Sequence, residues 1–390
     1  MDWINWGGRR LQTIGIQSVQ LNEEALLATA QKQTQLTDWG DDSFRVGFKV
    51  LITALNAEAD LSLVGRLFLW ADLGRLLINR LQIQATLKRH PEILEVPIRR
   101  PLVITGLPRT GTTFLHRLLA QDSRFRWLRL WELLQPCPPP EQNASDPDPR
   151  IQAAEKMARQ YQALSPVFST THHLQAQLPE EGNQLFEHAF STLLYELRAH
   201  VPSYRDWLRT QTLRSQYHYY RQQLQLLSWH WPGRWLLKAP AHLTYLESLT
   251  QVFPDACIIQ THRDPCSVVP SICSLATLVR NIYTEQVDRS AIGKYWLEAL
   301  SYGYEKGHQY RRQTPSTLIC DVNYPDLIQD PIQTVHRIYN FFNDSLDSST
   351  EQNMVNWLDA NPQTKHGVHR YSIEQFGLTE TEIRQAFPFL

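Results

Sequence analysis

The sequence predicts an α/β fold: a central parallel sheet of the phosphate-loop type flanked by helices, with a helical region ahead of it and a helical insertion within it. Three observations carry that expectation. Short apolar runs begin at Leu102, Trp235, Ala256 and Thr317, each followed by polar residues and then by apolar residues at three- and four-residue spacing. A glycine-bearing turn, from Gly106 to Thr113, separates the first run from its helix. Over 1–98 and about 150–230 only helical spacing is present.

Taken in order, the first region places Leu51, Leu55 and Ala59 on one helix face and repeats apolar residues helically from Leu67 to Leu87. It is expected to pack on the remainder, 99–390, which reads as one α/β domain. Arg99, Arg100 and Pro101 break the pattern, so 102–105 reads as a strand and 113–120 as an amphipathic helix. The prolines at Pro136, Pro138, Pro139, Pro140, Pro147 and Pro149 lack the amide donor and mark a loop. The stretch 150–230, rich in Gln, Tyr and Trp, is expected to be an insertion that shapes a second-substrate pocket. There is no internal repeat.

Of the 390 residues, 42% are hydrophobic and 20% charged, ordinary globular usage that excludes a disordered tail protein. Lys and Arg number 38 against 39 Asp and Glu, so no global field attracts nucleic acid or an anionic membrane, and any anion site must be local. The five cysteines form no C-x-x-C pair, which favours a reduced, metal-free cytoplasmic protein. No signal-peptide order opens the sequence, and no run of roughly 18 uninterrupted apolar residues occurs, so no stable membrane insertion is expected.

The turn Gly106-Leu107-Pro108-Arg109-Thr110-Gly111-Thr112-Thr113 nearly matches a nucleotide phosphate loop. In such loops glycines let backbone amides turn toward a phosphate, the helix start adds partial positive charge, and a lysine grips the terminal phosphates. Here Thr112 holds the lysine position and Arg109 supplies a cation from within the loop. A phosphate-like anion suits that arrangement better than a triphosphate. Arg263 follows the run beginning at Ala256, Asp264-Pro265 suits a helix start, and Ser271 stands two turns further on. A guanidinium and a hydroxyl thus gather at a second strand end.

These residues resemble the sulfotransferases that use 3′-phosphoadenosine 5′-phosphosulfate, in their bacterial branch, with motifs shared with tyrosyl-protein and cytosolic members. Pro108, Arg109, Thr110, Gly111, Thr112 and Thr113 look like that family's 5′-phosphosulfate loop, and Arg263 with Ser271 like its 3′-phosphate motif. The segment 238–243, Lys-Ala-Pro-Ala-His-Leu, and the helical preface around Asp38-Trp39-Gly40 are similar too. The resemblance implies transfer of a sulfuryl group from that donor to a hydroxyl or amine of a small molecule, leaving 3′,5′-adenosine diphosphate, with no metal. Lys238 matches the lysine that stabilises the leaving group, and Glu132 stands where related branches place a catalytic glutamate.

A general base must sit within hydrogen-bond reach of the acceptor. Glu132 is the first choice, with His173 as an alternative and His172 and His242 as further candidates, since Pro240 occupies the place of the cytosolic family's histidine. Glu180 and Glu181 are expected at the acceptor pocket. With Glu187 they make a guanidinium-bearing alkaloid one conceivable acceptor. Near the carboxyl end His369 and Arg370 resemble a basic loop over the 3′-phosphate. The competing classes are a phosphate-loop kinase or NTPase, disfavoured by Thr112, and a non-catalytic nucleotide-binding protein.

Overall fold

A computed structural model describes residues 20–143, 145–164, 174–315, 318–362 and 372–389. Three helices come first: α1 (Glu23–Thr34), α2 (Phe44–Ala57) and α3 (Leu63–Arg89). Asn22 and Ser62 cap α1 and α3 with side-chain oxygens, satisfying backbone amides that a helix start leaves without partners. Leu51, Leu55 and Ala59 are buried as their spacing predicts, in one apolar cluster with Leu73, Val268 and Leu300, so the preface shares its core with later elements.

β1 (Leu102–Gly106) leads through the loop into α4 (Thr112–Leu119), followed by β2 (Phe125–Trp127) and α5 (Leu130–Leu134). The proline-rich loop then runs to α6 (Pro149–Leu164). The rest of the expected insertion is helical: α7 (Asn183–Glu187), α8 (Leu194–Arg198), α9 (Pro202–Arg209) and α10 (Arg214–Ser228). β3 (Arg234–Lys238), α11 (Leu246–Val252), β4 (Cys257–His262), α12 (Pro265–Tyr283), α13 (Arg289–Arg312) and β5 (Ile319–Asn323) complete the sheet region. The chain ends in α14 (Tyr324–Gln329), α15 (Pro331–Phe341), α16 (Ser348–Ala360) and α17 (Glu380–Ala386).

All strand pairs are parallel, in the order β2-β3-β1-β4-β5. β1, β3 and β4 are buried along nearly their whole length, which explains their continuous apolar runs. The chain leaves β1 toward one side of the sheet and crosses after β3 to the other, so the strand ends beside β1 open a crevice where ligands of such sheets bind. α12 is, among the described residues, the one helix long and apolar enough to cross a membrane; 72% of its apolar window is buried inside the protein, where it serves the core.

Candidate active site

The loop after β1 is shaped by close approach. Gly106 has φ 136° and a Cβ there would stand 2.5 Å from the Thr261 carbonyl oxygen; Gly111 has φ 90° and a Cβ there would stand 2.9 Å from the Tyr324 ring. Only glycine meets both conditions. Arg109 itself takes φ 68°, a left-handed conformation costly for a side-chain-bearing residue. Thr110 pins the turn from beneath, its Oγ1 2.6 Å from the Leu107 carbonyl and 2.5 Å from Thr261 Oγ1. Thr110 is therefore a support of the loop, while Pro108, Arg109, Gly111, Thr112 and Thr113 line a cavity of about 480 Å³.

The second anchor meets the first. Arg109 Nε donates to Ser271 Oγ at 3.1 Å, and Arg263 Nη1 donates to the Arg109 carbonyl at 3.0 Å. The Arg263 guanidinium lies 4.1 Å from the centre of the Tyr324 ring, a cation–π contact that orients it at the cavity wall. Two arginines separated by 154 residues thus reach one cavity, held there by the ends of β1 and β4.

Lys238, at the end of β3, is buried with 1% of its surface exposed. Its Nζ donates to Thr113 Oγ1 at 3.3 Å and to Glu181 Oε1 in a tight ion pair. Backbone hydrogen bonds place Glu181 there: Glu180 N donates to the Leu128 carbonyl and Gly182 N to the Lys238 carbonyl, each at 2.9 Å. This segment extends the strand ends of β2 and β3 and aims Glu181 into the cavity. Asn183 Nδ2 donates to Glu181 Oε2 at 3.3 Å, and Asn183 Oδ1 is buried without a partner among the described residues. Glu180 is buried, accepts from Glu181 N at 3.0 Å and does not line the cavity.

The first choice of base does not reach this point. Glu132 is fully buried, accepts from Arg126 Nη2 at 2.9 Å and from Arg129 N at 3.0 Å, and does not line the cavity. It completes a capping box at the start of α5, so the position expected for chemistry is structural. His242 is also buried away from the cavity, its Nδ1 2.7 Å from the Tyr217 hydroxyl, and burial pushes its pKa down to about 3. His116, beneath Lys238, is held neutral in the same way: burial, then the Lys238 charge, lower it to about 3. His172, His173, His369 and Arg370 lie outside the described residues. Glu187 is locked in an ion pair with Arg198 at 2.6 Å, away from the cavity.

Several lining residues carried no sequence signal strong enough to be singled out. Phe114 and Arg117 follow the loop on α4, and Trp357 approaches Phe114 with ring centres 5.8 Å apart. Phe114 stands directly after the loop motif, a position that could have drawn notice; Trp357 becomes a neighbour only through folding.

A parallel sheet whose strand ends carry a phosphate-type loop and two convergent arginines is the architecture of a group-transfer fold of the phosphate-loop type. Residues 101–348 match the model described as the sulfotransferase family, and the chain belongs to that family. The crystal structure of sulfotransferase STF1 from Mycobacterium tuberculosis superposes with a TM-score of 0.85 at 34% identity, covering 95% of this chain and 99% of that one. Sulfotransferase STF9 from Mycobacterium avium gives 0.86 at 29% identity, over 95% and 96% of the two chains. The omega-hydroxy-beta-dihydromenaquinone-9 sulfotransferase Stf3 of Mycobacterium bovis is 25% identical over 254 residues, 61% of each chain. The match therefore spans less than two thirds of that relative's length.

Proposed function

We propose that the chain transfers a sulfuryl group from 3′-phosphoadenosine 5′-phosphosulfate to a hydroxyl or amino group of a small molecule, in a reducing cytoplasm that suits its five unpaired cysteines. The observation that carries this is that the buried Lys238 bonds Thr113 and Glu181, two side chains that line the same cavity as Arg109 and Arg263. The loop amides, Arg109 and Lys238 hold the 5′ end of the donor; Arg263 and Ser271 hold the 3′-phosphate. Phe114 and Trp357 offer aromatic faces to the adenine. With Thr112 in place of a lysine, a triphosphate terminus would lack its grip, which leaves the kinase reading weaker.

Glu181 takes the base role in place of Glu132. The acceptor oxygen or nitrogen attacks sulfur and gives its proton to Glu181, while the bond from sulfur to the bridging oxygen breaks and its electron pair stays on the departing diphosphate. Lys238 neutralises that oxygen as charge develops.

The test is direct. Calorimetry should show binding of 3′,5′-adenosine diphosphate, and labelled donor incubated with cell extract should yield a product heavier by one sulfuryl unit that disappears in Arg263→Ala. Tight Mg-ATP binding with none of the diphosphate would refute the assignment.

A further inference from the structure

The cavity extends beyond the groups that the transfer step uses. Trp296, Ala299, Leu300 and Gly303 line it from positions i, i+3, i+4 and i+7 of α13, a single stripe of one helix. Leu194 and Leu197 of α8 line the same cavity and are only half-buried, so apolar surface is left open inside it. Leu275 of α12, one turn beyond Ser271, joins them. Among the described lining residues, α8, α12 and α13 contribute no charged side chain; the charged ones are Arg109, Arg117, Glu181 and Arg263.

We propose that this stripe is the acceptor subsite and that the acceptor is a primary alcohol at the end of an elongated apolar chain. The inference rests on the sulfuryl-transfer reading and adds the substrate class to it. A sugar would bury several hydroxyls against Leu194, Leu197, Ala299 and Leu300, whose side chains offer no partner, each at a desolvation cost. A guanidinium or other cation meets only Glu181, already paired with Lys238, since Glu187 is held by Arg198 and Glu180 does not line the cavity. An alcohol fits both ends. Its single hydroxyl donates to Glu181, and its chain covers the half-buried leucines.

The experiment uses the full chain at saturating donor with straight-chain primary alcohols from butanol to decanol, and with glucose and agmatine as counter-probes. Binding of 3′,5′-adenosine diphosphate is measured separately. The expected result is that kcat/KM climbs about two- to fourfold for each added methylene, mostly through KM, while the counter-probes are turned over at least a hundredfold less well. Leu197→Asp raises the KM for decanol at least tenfold with diphosphate affinity unchanged. Leu194→Ala, which removes apolar surface without adding charge, flattens the chain-length dependence. A flat alcohol series, or agmatine or glucose preferred over decanol, overturns the proposal while intact diphosphate binding leaves the transfer reading standing. Failure of the wild-type chain to bind diphosphate overturns both.

Discussion

Replacing Glu132 by alanine separates a structural carboxylate from a catalytic one. The side chain is fully buried between Arg126, 2% exposed, and Arg129, 8% exposed. Removing it leaves two buried guanidinium groups without their shared counter-charge, and a broken buried pair typically costs about 3–5 kcal/mol. The α5 cap lost with it is worth about 1 kcal/mol taken alone, but the same carboxylate supplies both, so about 4 kcal/mol is the expected total. That is a large share of a domain's usual stability of about 5–15 kcal/mol, yet it leaves a folded protein at low temperature. The assay is urea unfolding at 15 °C, followed by turnover per folded molecule in buffer. Glu132→Ala should move the unfolding midpoint sharply down while kcat of the folded protein stays within about threefold. Glu181→Gln should do the reverse: a smaller stability loss than Glu132→Ala, because the amide oxygen still accepts from Lys238, and a drop in kcat of about 10²–10⁴, the usual worth of a general base. If Glu132→Ala kept its stability and lost turnover a hundredfold, the reassignment of the base would be wrong.

Three other outcomes follow from the same geometry. Ser271→Ala should weaken 3′,5′-adenosine diphosphate binding about fivefold and Arg263→Ala by roughly tenfold to a hundredfold, as expected for neutral and charged hydrogen bonds, both read by calorimetry. Gly111→Ala should destabilise the chain by about 1–3 kcal/mol and impair diphosphate binding, because φ is 90° there and the new methyl meets the Tyr324 ring; thermal unfolding with and without diphosphate checks both. Glu196, buried in α8, has its pKa raised to about 7 by burial, against the lowering influence of Tyr295, Arg205, Arg209 and Arg280. A carboxyl raised in the folded state contributes its stability below the unfolded value of 4.5 and loses it as pH rises through 7. Glu196→Gln should therefore gain stability relative to the parent across that window, by about 3 kcal/mol at most, in denaturation curves taken from pH 4.5 to 8. A difference that stays constant with pH would refute it.

The loop half of the cavity was legible in the sequence because it is built from local backbone chemistry. A strand, a turn needing positive φ at Gly106 and Gly111, and a helix start write themselves into a few consecutive residues, and the Asp264-Pro265 start of α12 does the same beside Arg263. Strand ends of a parallel sheet lie on one edge, so recognising the strands already placed Arg109, Lys238 and Arg263 together. The glutamates were different. Glu132 and Glu181 both stand in polar–apolar contexts that a linear reading ranks by analogy alone. What separates them is that Glu180 N and Gly182 N bond the ends of β2 and β3, which swings Glu181 onto Lys238, 57 residues away, while two arginines enclose Glu132.

The apolar walls of the cavity were equally hidden. Trp296 and Leu300 have the spacing of any core-facing helix stripe, and nothing in that spacing tells a stripe that meets another helix from one that meets an open cavity. The amino-acid order determined the sheet, the phosphate loop and the two arginine anchors, because those depend on dihedral preference and on short-range hydrogen bonds. Which carboxylate meets Lys238, and which leucines remain uncovered, was decided only when distant helices packed, since burial and charge pairing are properties of neighbours that the chain brings together from far apart.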